Sequence, residues 1–405
     1  MSNMGKILVY QLWPLAWGSI KAMTLFLSKI KALGADYVWL SPINQSPRHN
    51  HGYDVSDYYT IDDRLGSIKD FDEFVRTAHA IGLKVIMELV IDSTSTEHRW
   101  FTTNPDWYIW ETSVTNWHNL MDGQSAWQLD ASRGKYYLHL GHPKQADLNW
   151  FPGGVPNRSL IEYFRNVMRY WMTSHGVDGF RLAQAQSLNK NLSKKDFEFE
   201  STYVGRNAIT VINELSNIYS GTHKCPFLML DLYDIDGSAL EYYSSETDVE
   251  YITSRLLKAE ITKNTRIPKI QESINRCCEN PKFMLELENH DSPRLTSQLS
   301  ITGKEAMDLM FTPKVHAVCL YQGQELGLKN PSEKELSLVD ILNLDARAAL
   351  QFEHCNVSAE DLRKNTRANT RLPLPLDEYA RQELDQTSVL NYAKSVIRAW
   401  KAGET

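Results

Sequence analysis

The run Lys84-Val-Ile-Met-Glu-Leu-Val-Ile91 is apolar at almost every position. A strand of that kind is buried on both faces, so only a sheet covered on both sides accepts it. The flanking sequence supplies the cover. Lys6–Leu12 and Tyr37–Leu40 read as two earlier strands, separated by a helical stretch, Met23–Leu33, that stops at Gly34. A second helical stretch, Ile68–Ile81, leads into the apolar run and is closed by Gly82. Strands and helices alternating over short links give a parallel sheet with right-handed crossovers. The rhythm returns with helix Leu160–Ser174, strand Gly176–Ala183, helix Ala208–Tyr219 and strand Pro226–Leu232. Helices Val249–Ile261 and Ile270–Cys278, strand Phe283–Leu287, helix Lys304–Met310, strand Val315–Tyr321 and helix Ser388–Trp400 complete the series. Seven strands are legible, and an eighth is expected between Ser238 and Thr253, where the pattern is weak. The fold class is α/β, a (β/α)8 TIM barrel.

The rhythm fails once. Glu97 to Pro156 is long, polar and rich in Trp and Tyr. A stretch of that length inside a compact domain carries structure of its own. The expected organisation is a barrel from residues 1–96 and 157–405, with 97–156 inserted as a small subdomain after the third strand. The formal charge of −7 with no basic stripe argues against nucleic acid. The five cysteines, Cys225, Cys277, Cys278, Cys319 and Cys355, show no framework spacing and read as reduced thiols. The N-terminus has neither a basic leader nor a long apolar segment, so a cytoplasmic protein without a membrane span is expected.

In a barrel of this class the chemistry sits at the C-terminal ends of the strands. The fourth strand ends in Arg181-Leu-Ala183. Side chains two apart share a face, so Ala183 points the same way as Arg181. A reactive group is expected there, and the sequence supplies a methyl. Arg181, His290 and Asp291 can equally form a buried ionic cluster that caps the barrel. His51, His98 and His118 lack partners at metal-ligand spacing and read as surface residues.

Ordered blocks along the chain carry a resemblance. They include Trp39-Leu-Ser-Pro42, Gly52-Tyr-Asp-Val-Ser-Asp-Tyr58, Gln145-Ala-Asp-Leu-Asn-Trp150, Gly179-Phe-Arg181, Glu288-Asn-His-Asp-Ser-Pro-Arg294 and Tyr321-Gln-Gly-Gln-Glu325. The chain resembles the α-amylase superfamily of glycoside hydrolases, in its oligo-1,6-glucosidase, dextran-glucosidase and sucrose-isomerase branch. The resemblance implies the same barrel, the subdomain after strand three, and retaining chemistry at an α-glucosidic bond by two carboxyl groups. It puts the nucleophile at Ala183 and the acid/base at Asp231, with Asp234 and Asp236 as alternatives. Asn50 stands where the family has an aspartate, and Ser93 where it has a histidine. Tyr53 as a stacking platform, Arg181, His290 and Asp291 are kept, and Arg347 joins Asn50, Tyr53, Ser93, Arg181, His290 and Asp291 as ligand-binding candidates.

The acidic metal-binding loop of the branch is missing after strand one, so no metal or other cofactor is expected. The family's C-terminal β domain is expected to be absent too. These positions read as a pseudoenzyme without its nucleophile, binding a glucoside-like ligand or a protein partner, a second copy of the chain included. The rival reading is altered chemistry, such as inverting hydrolysis or isomerisation of a sugar-like metabolite, run by the remaining pocket carboxylates.

Overall fold

The computed structural model describes residues 5–188, 190, 206–218, 226–232, 237–261 and 265–404. Seven strands form one parallel sheet: β1 Ile7–Leu12, β2 Tyr37–Leu40, β3 Lys84–Val90, β4 Gly179–Ala183, β5 Phe227–Leu232, β6 Tyr251–Ser254 and β7 Ala317–Tyr321. Their order is β6-β5-β4-β3-β2-β1-β7. The remaining stave is the extended segment around Phe283 and Leu285. It bridges in parallel to Ile252 of β6 and to Val318 of β7. Met284 N donates to Ile252 O and Leu285 N to Ala317 O, both at 2.9 Å, and so close the TIM barrel.

Two expectations are corrected. Val249–Ile261 is not one helix, because its first half is β6 and only Leu256–Glu260 is helical. All four β6 residues are buried, and Tyr, Ile and Thr suit a pleated surface. The eighth strand sought between Ser238 and Thr253 is this one, displaced toward its C-terminal end, while Ser238–Glu246 is a helix. Short helices after β7, among them Leu338–Leu344 and Ala346–His354, escaped the periodicity reading. At 7 and 9 residues, about two to two and a half turns apiece, they show too few repeats for a period to emerge.

Trp39, Ile86, Met229 and Cys319 pack together inside the barrel. Below them Tyr37 and Phe227 stack with centroids 4.4 Å apart. Gly179 lies against this stack, and a Cβ there would fall 2.1 Å from the Phe227 carbonyl oxygen. Residue 179 is glycine because the next strand occupies that space.

The stretch 97–156 holds a three-stranded antiparallel sheet, Trp110–Glu111, Lys135–Leu138 and Trp127–Asp130, with Trp117 and Trp127 in a small core of its own. The aromatic load of this stretch is thus largely packing. A ladder of Ser93–Ser95 against Gln145–Asp147 ties it to the end of β3. His98 is buried, not exposed as expected, with Trp100 at 4.1 Å, and burial pushes its pKa down to about 3. Among the described residues no helix is long and apolar enough to cross a membrane.

Candidate active site

The barrel's C-terminal rim surrounds a cavity of about 150 Å³. One water needs only about 10–15 Å³ of such space, so the cavity suits a ligand of several non-hydrogen atoms. Its floor is ionic. Register places Arg181 of β4 beside Glu88 of β3 on one side and Met229 of β5 on the other. Arg181 pairs with Glu88 through Nη1 and with Asp231 Oδ2 at 3.0 Å through Nη2. Its guanidinium lies 4.6 Å from the Trp39 ring centroid, and the Trp39 indole donates to Glu88 Oε2 at 3.1 Å. Burial pushes the Glu88 carboxyl up to about 7 against the pull of Arg181. Burial also opposes ionisation of Asp231, but Arg181, Arg255 and Lys258 outweigh it and hold that carboxyl below the usual range.

A second group forms around Asp291. Its Oδ1 accepts from Arg371 Nη2 at 2.9 Å and lies 3.4 Å from Arg367 Nε. Burial disfavours this charge, yet Arg367, Arg371 and Arg255 together keep the carboxyl well below its ordinary value. Asp291 is therefore a fixed anion at neutral pH. His290 packs against Trp13, with centroids 4.8 Å apart and planes at 10°. Gln11 Nε2 lies 2.8 Å from its Nδ1, and the Tyr53 hydroxyl 2.7 Å from its Nε2. Burial first, and then the surrounding arginines, hold His290 neutral.

Arg181 and Asp291 thus belong to linked ionic groups but do not pair directly. Arg255 joins them, with its Nη2 3.8 Å from Asp231 and 3.7 Å from Asp291. Of the positions singled out by sequence, Asn50, Tyr53, Arg181, Ala183, Asp231, His290, Asp291 and Arg347 all line the cavity. Ser93 does not. Its hydroxyl is buried behind the wall, accepting from Gln145 Nε2 at 2.8 Å and donating to Asp92 Oδ2 at 3.0 Å. The serine side chain is too short to pass Gln145, which faces the cavity in its place. Asp234 and Asp236 lie outside the described residues.

Sequence reasoning missed Glu88, Gln145, Arg367 and Arg371. A signal existed for Glu88. A lone carboxylate inside an apolar strand must be buried, and a buried charge needs a cationic partner. Gln145 comes from the short strand Gln145–Asp147, and Arg367 and Arg371 from the single turn Arg367–Thr370 and its end, and none of the three carried such a signal.

Residues 12–382 match the family described as Alpha amylase, catalytic domain. The chain belongs to the α-amylase family. It is 29% identical to trehalose-6-phosphate hydrolase of Bacillus subtilis (strain 168), across 92% of this chain and 74% of that protein. It is 30% identical to glucan 1,6-alpha-glucosidase of Streptococcus dysgalactiae subsp. equisimilis, across 91% and 74%. Among solved structures, trehalose-6-phosphate hydrolase (TreA) of Bacillus licheniformis aligns with a TM-score of 0.82 at 25% identity, covering 99% of this chain and 84% of that one. Trehalulose synthase MutB of Pseudomonas mesoacidophila MX-45 shares the fold, with a TM-score of 0.84 at 22% identity over 98% and 83%.

Asp92 is a second raised carboxyl of this α-amylase-family site, beside Glu88. Asp92 lines the cavity, and burial, then the charge of Asp147, pushes it up to about 6. A raised carboxyl favours the folded state only while protonated. Its contribution is full below the unfolded value and is lost as pH rises through about 6. Asp92→Asn removes that loss. The variant should match the wild type near pH 4 and exceed it by up to about 3 kcal/mol at pH 8, from about 1.4 kcal/mol per pKa unit. Urea unfolding at the two pH values measures this, and an equal offset at both would contradict it.

Proposed function

We propose that this barrel binds a glucoside-like ligand, or a protein partner at the same rim, without retaining glycosidic hydrolysis. One observation carries the reading. The methyl of Ala183 lines the cavity one pleat beyond Arg181, where the family resemblance asks for the nucleophilic aspartate. Retaining hydrolysis passes through a covalent glycosyl ester. Alanine has no oxygen with which to form one. Asp231 and Asp291 do not replace it, since each is held by arginines. Asp231 also suits the acid/base role poorly, because a carboxyl held below its usual value does not donate a proton at neutral pH.

The cavity still supports binding. Asn50 Oδ1 and Ser187 Oγ belong to residues that line it, and both atoms are buried without a hydrogen-bond partner in the protein. Such atoms call for a polar ligand or ordered water. Calorimetry against maltose, isomaltose, sucrose and trehalose tests the reading, beside a chromogenic α-glucoside assay. Heat from at least one sugar at millimolar concentration, with no chromophore released, is the expected result. Silence toward every sugar would move the proposal to a protein partner, and release of chromophore would end it. Ala183→Asp should recover little hydrolysis, because Asn50, Ser93 and Asp231 depart from the family as well.

A second reading, altered chemistry on a sugar-like metabolite, is favoured by Asp92 alone. Its carboxyl, at about 6, can give or take a proton near neutral pH and faces the cavity. Inverting hydrolysis by Asp231 and Asp291 is disfavoured. That mechanism needs room for a water between carboxyl groups about 6.5–9.5 Å apart. Here Arg255 contacts both carboxylates through one nitrogen.

A further inference from the structure

Arg347 is the cation of this cavity whose charge the protein leaves least answered. It lies at the start of helix Ala346–His354, whose cap, Asp345, spends its carboxylate on backbone amides and the Thr366 hydroxyl. Asp345 Oδ1 accepts from Arg347 N at 3.1 Å, and Oδ2 accepts from Arg367 N at 2.8 Å and Thr366 Oγ1 at 3.0 Å. One carboxylate thus fixes the backbones of Arg347 and Arg367 side by side. Arg347 Nη2 donates to the Asn365 carbonyl at 3.0 Å. Among the described residues no carboxylate lies within ion-pair distance of its guanidinium, whereas Arg367 and Arg371 share Asp291.

Arg367 is incompletely satisfied too. Its Nε is 3.4 Å from Asp291 Oδ1 but buried without a hydrogen bond. Both arginines line the cavity. Burial, and next the charge of Arg367, lower the pKa of Arg347, so the two cations repel in a partly enclosed space. The enclosure comes from the inserted stretch, whose Met121 lines the cavity. Gln351 of the Arg347 helix donates to Met121 O at 3.0 Å, and His354 bonds Asp122 at 2.6 Å. Away from bulk water, unanswered charge is costly and an added anion is strongly favoured.

We propose that Arg347 and Arg367 form a subsite for an anionic substituent, phosphate or carboxylate, so that the glucoside bound at this rim is a charged one. The inference rests on the glucoside-binding reading and narrows it. A guanidinium pair offers planar N–H forks that fit either group. Asp231, held by Arg181, and Asp291, held most closely by Arg371, remain to accept sugar hydroxyls.

Calorimetry on the full chain tests this with methyl α-glucoside, glucose 6-phosphate, methyl α-glucuronide and inorganic phosphate. At low salt at least one charged sugar should bind about tenfold or more tightly than methyl α-glucoside, as expected for hydrogen bonds to a charged group. The advantage should shrink at high salt and vanish in Arg347→Gln. Preference for glucose 6-phosphate, with competition by inorganic phosphate, assigns the subsite to phosphate; preference for the glucuronide assigns it to carboxylate. Equal affinity for charged and neutral sugars, or a preference that Arg347→Gln retains, would overturn the subsite while leaving glucoside binding intact. Absence of binding by any of the sugars would overturn both. If Arg347→Gln does not fold, the salt dependence of the wild-type preference decides, and a preference indifferent to salt overturns the subsite.

Discussion

Arg181→Met should cost about 3–5 kcal/mol of unfolding free energy, the usual penalty for removing one partner of a buried ion pair. Two carboxylates depend on this guanidinium, Glu88 and Asp231, and all three side chains are almost fully buried. The methionine fills the space but leaves both carboxylates without their closest cation. The deficit should depend on pH. Glu88 is raised to about 7, so in the wild type it is largely protonated at pH 5 and largely ionised at pH 8. A raised carboxyl stabilises the fold below its unfolded value and loses that contribution as pH climbs through the folded one. Without Arg181 the folded value climbs further, so the loss should be larger at pH 8 than at pH 5. Denaturant melts at both pH values measure it. Replacing Glu88 with leucine in the Arg181→Met background should restore part of the stability, since a buried pair exchanged for apolar residues is often neutral. A cost under about 1 kcal/mol at pH 8 would mean that the floor of the cavity is not held as described.

Gly179→Ala should be as damaging, for a steric reason. The added methyl would lie 2.1 Å from Phe227 O and 2.8 Å from Phe227 Cβ. Overpacking a core usually costs about 1–3 kcal/mol, and more where backbone must move. Here the obstacle is backbone, on the neighbouring strand of a closed barrel. Parting β4 from β5 would also part Arg181 from Asp231. Loss of soluble yield, or a clearly lowered melting temperature together with weakened ligand binding, is expected. A wild-type melting temperature would refute the close approach.

Much of the fold is written in residues whose surroundings are local. Lys84–Ile91 announces a strand covered on both faces, and the capped amphipathic helix Ile68–Ala80 announces what covers it. β6 was misread because four buried residues run into a helical turn and together mimic a longer helical pattern. The site was legible where a side chain alternates out of a strand, as with Arg181, Ala183 and Asp231. It was illegible where the partner comes from far along the chain. Arg371 reaches Asp291 and the His290 carbonyl from a loop 80 residues on, and no local pattern encodes that meeting. Ser93 shows the converse. Its position in the resemblance suggested a contact with ligand, but side-chain length put Gln145 in front of it.

In the proposed reading no carboxylate of this cavity bonds to a sugar's anomeric carbon. Intact-mass spectrometry after incubation with an activated fluoro-glucosyl donor, which accumulates the covalent intermediate of retaining enzymes, addresses it directly. An unmodified chain mass is expected at every time point. A stoichiometric glycosyl adduct on any carboxylate of the cavity would contradict it.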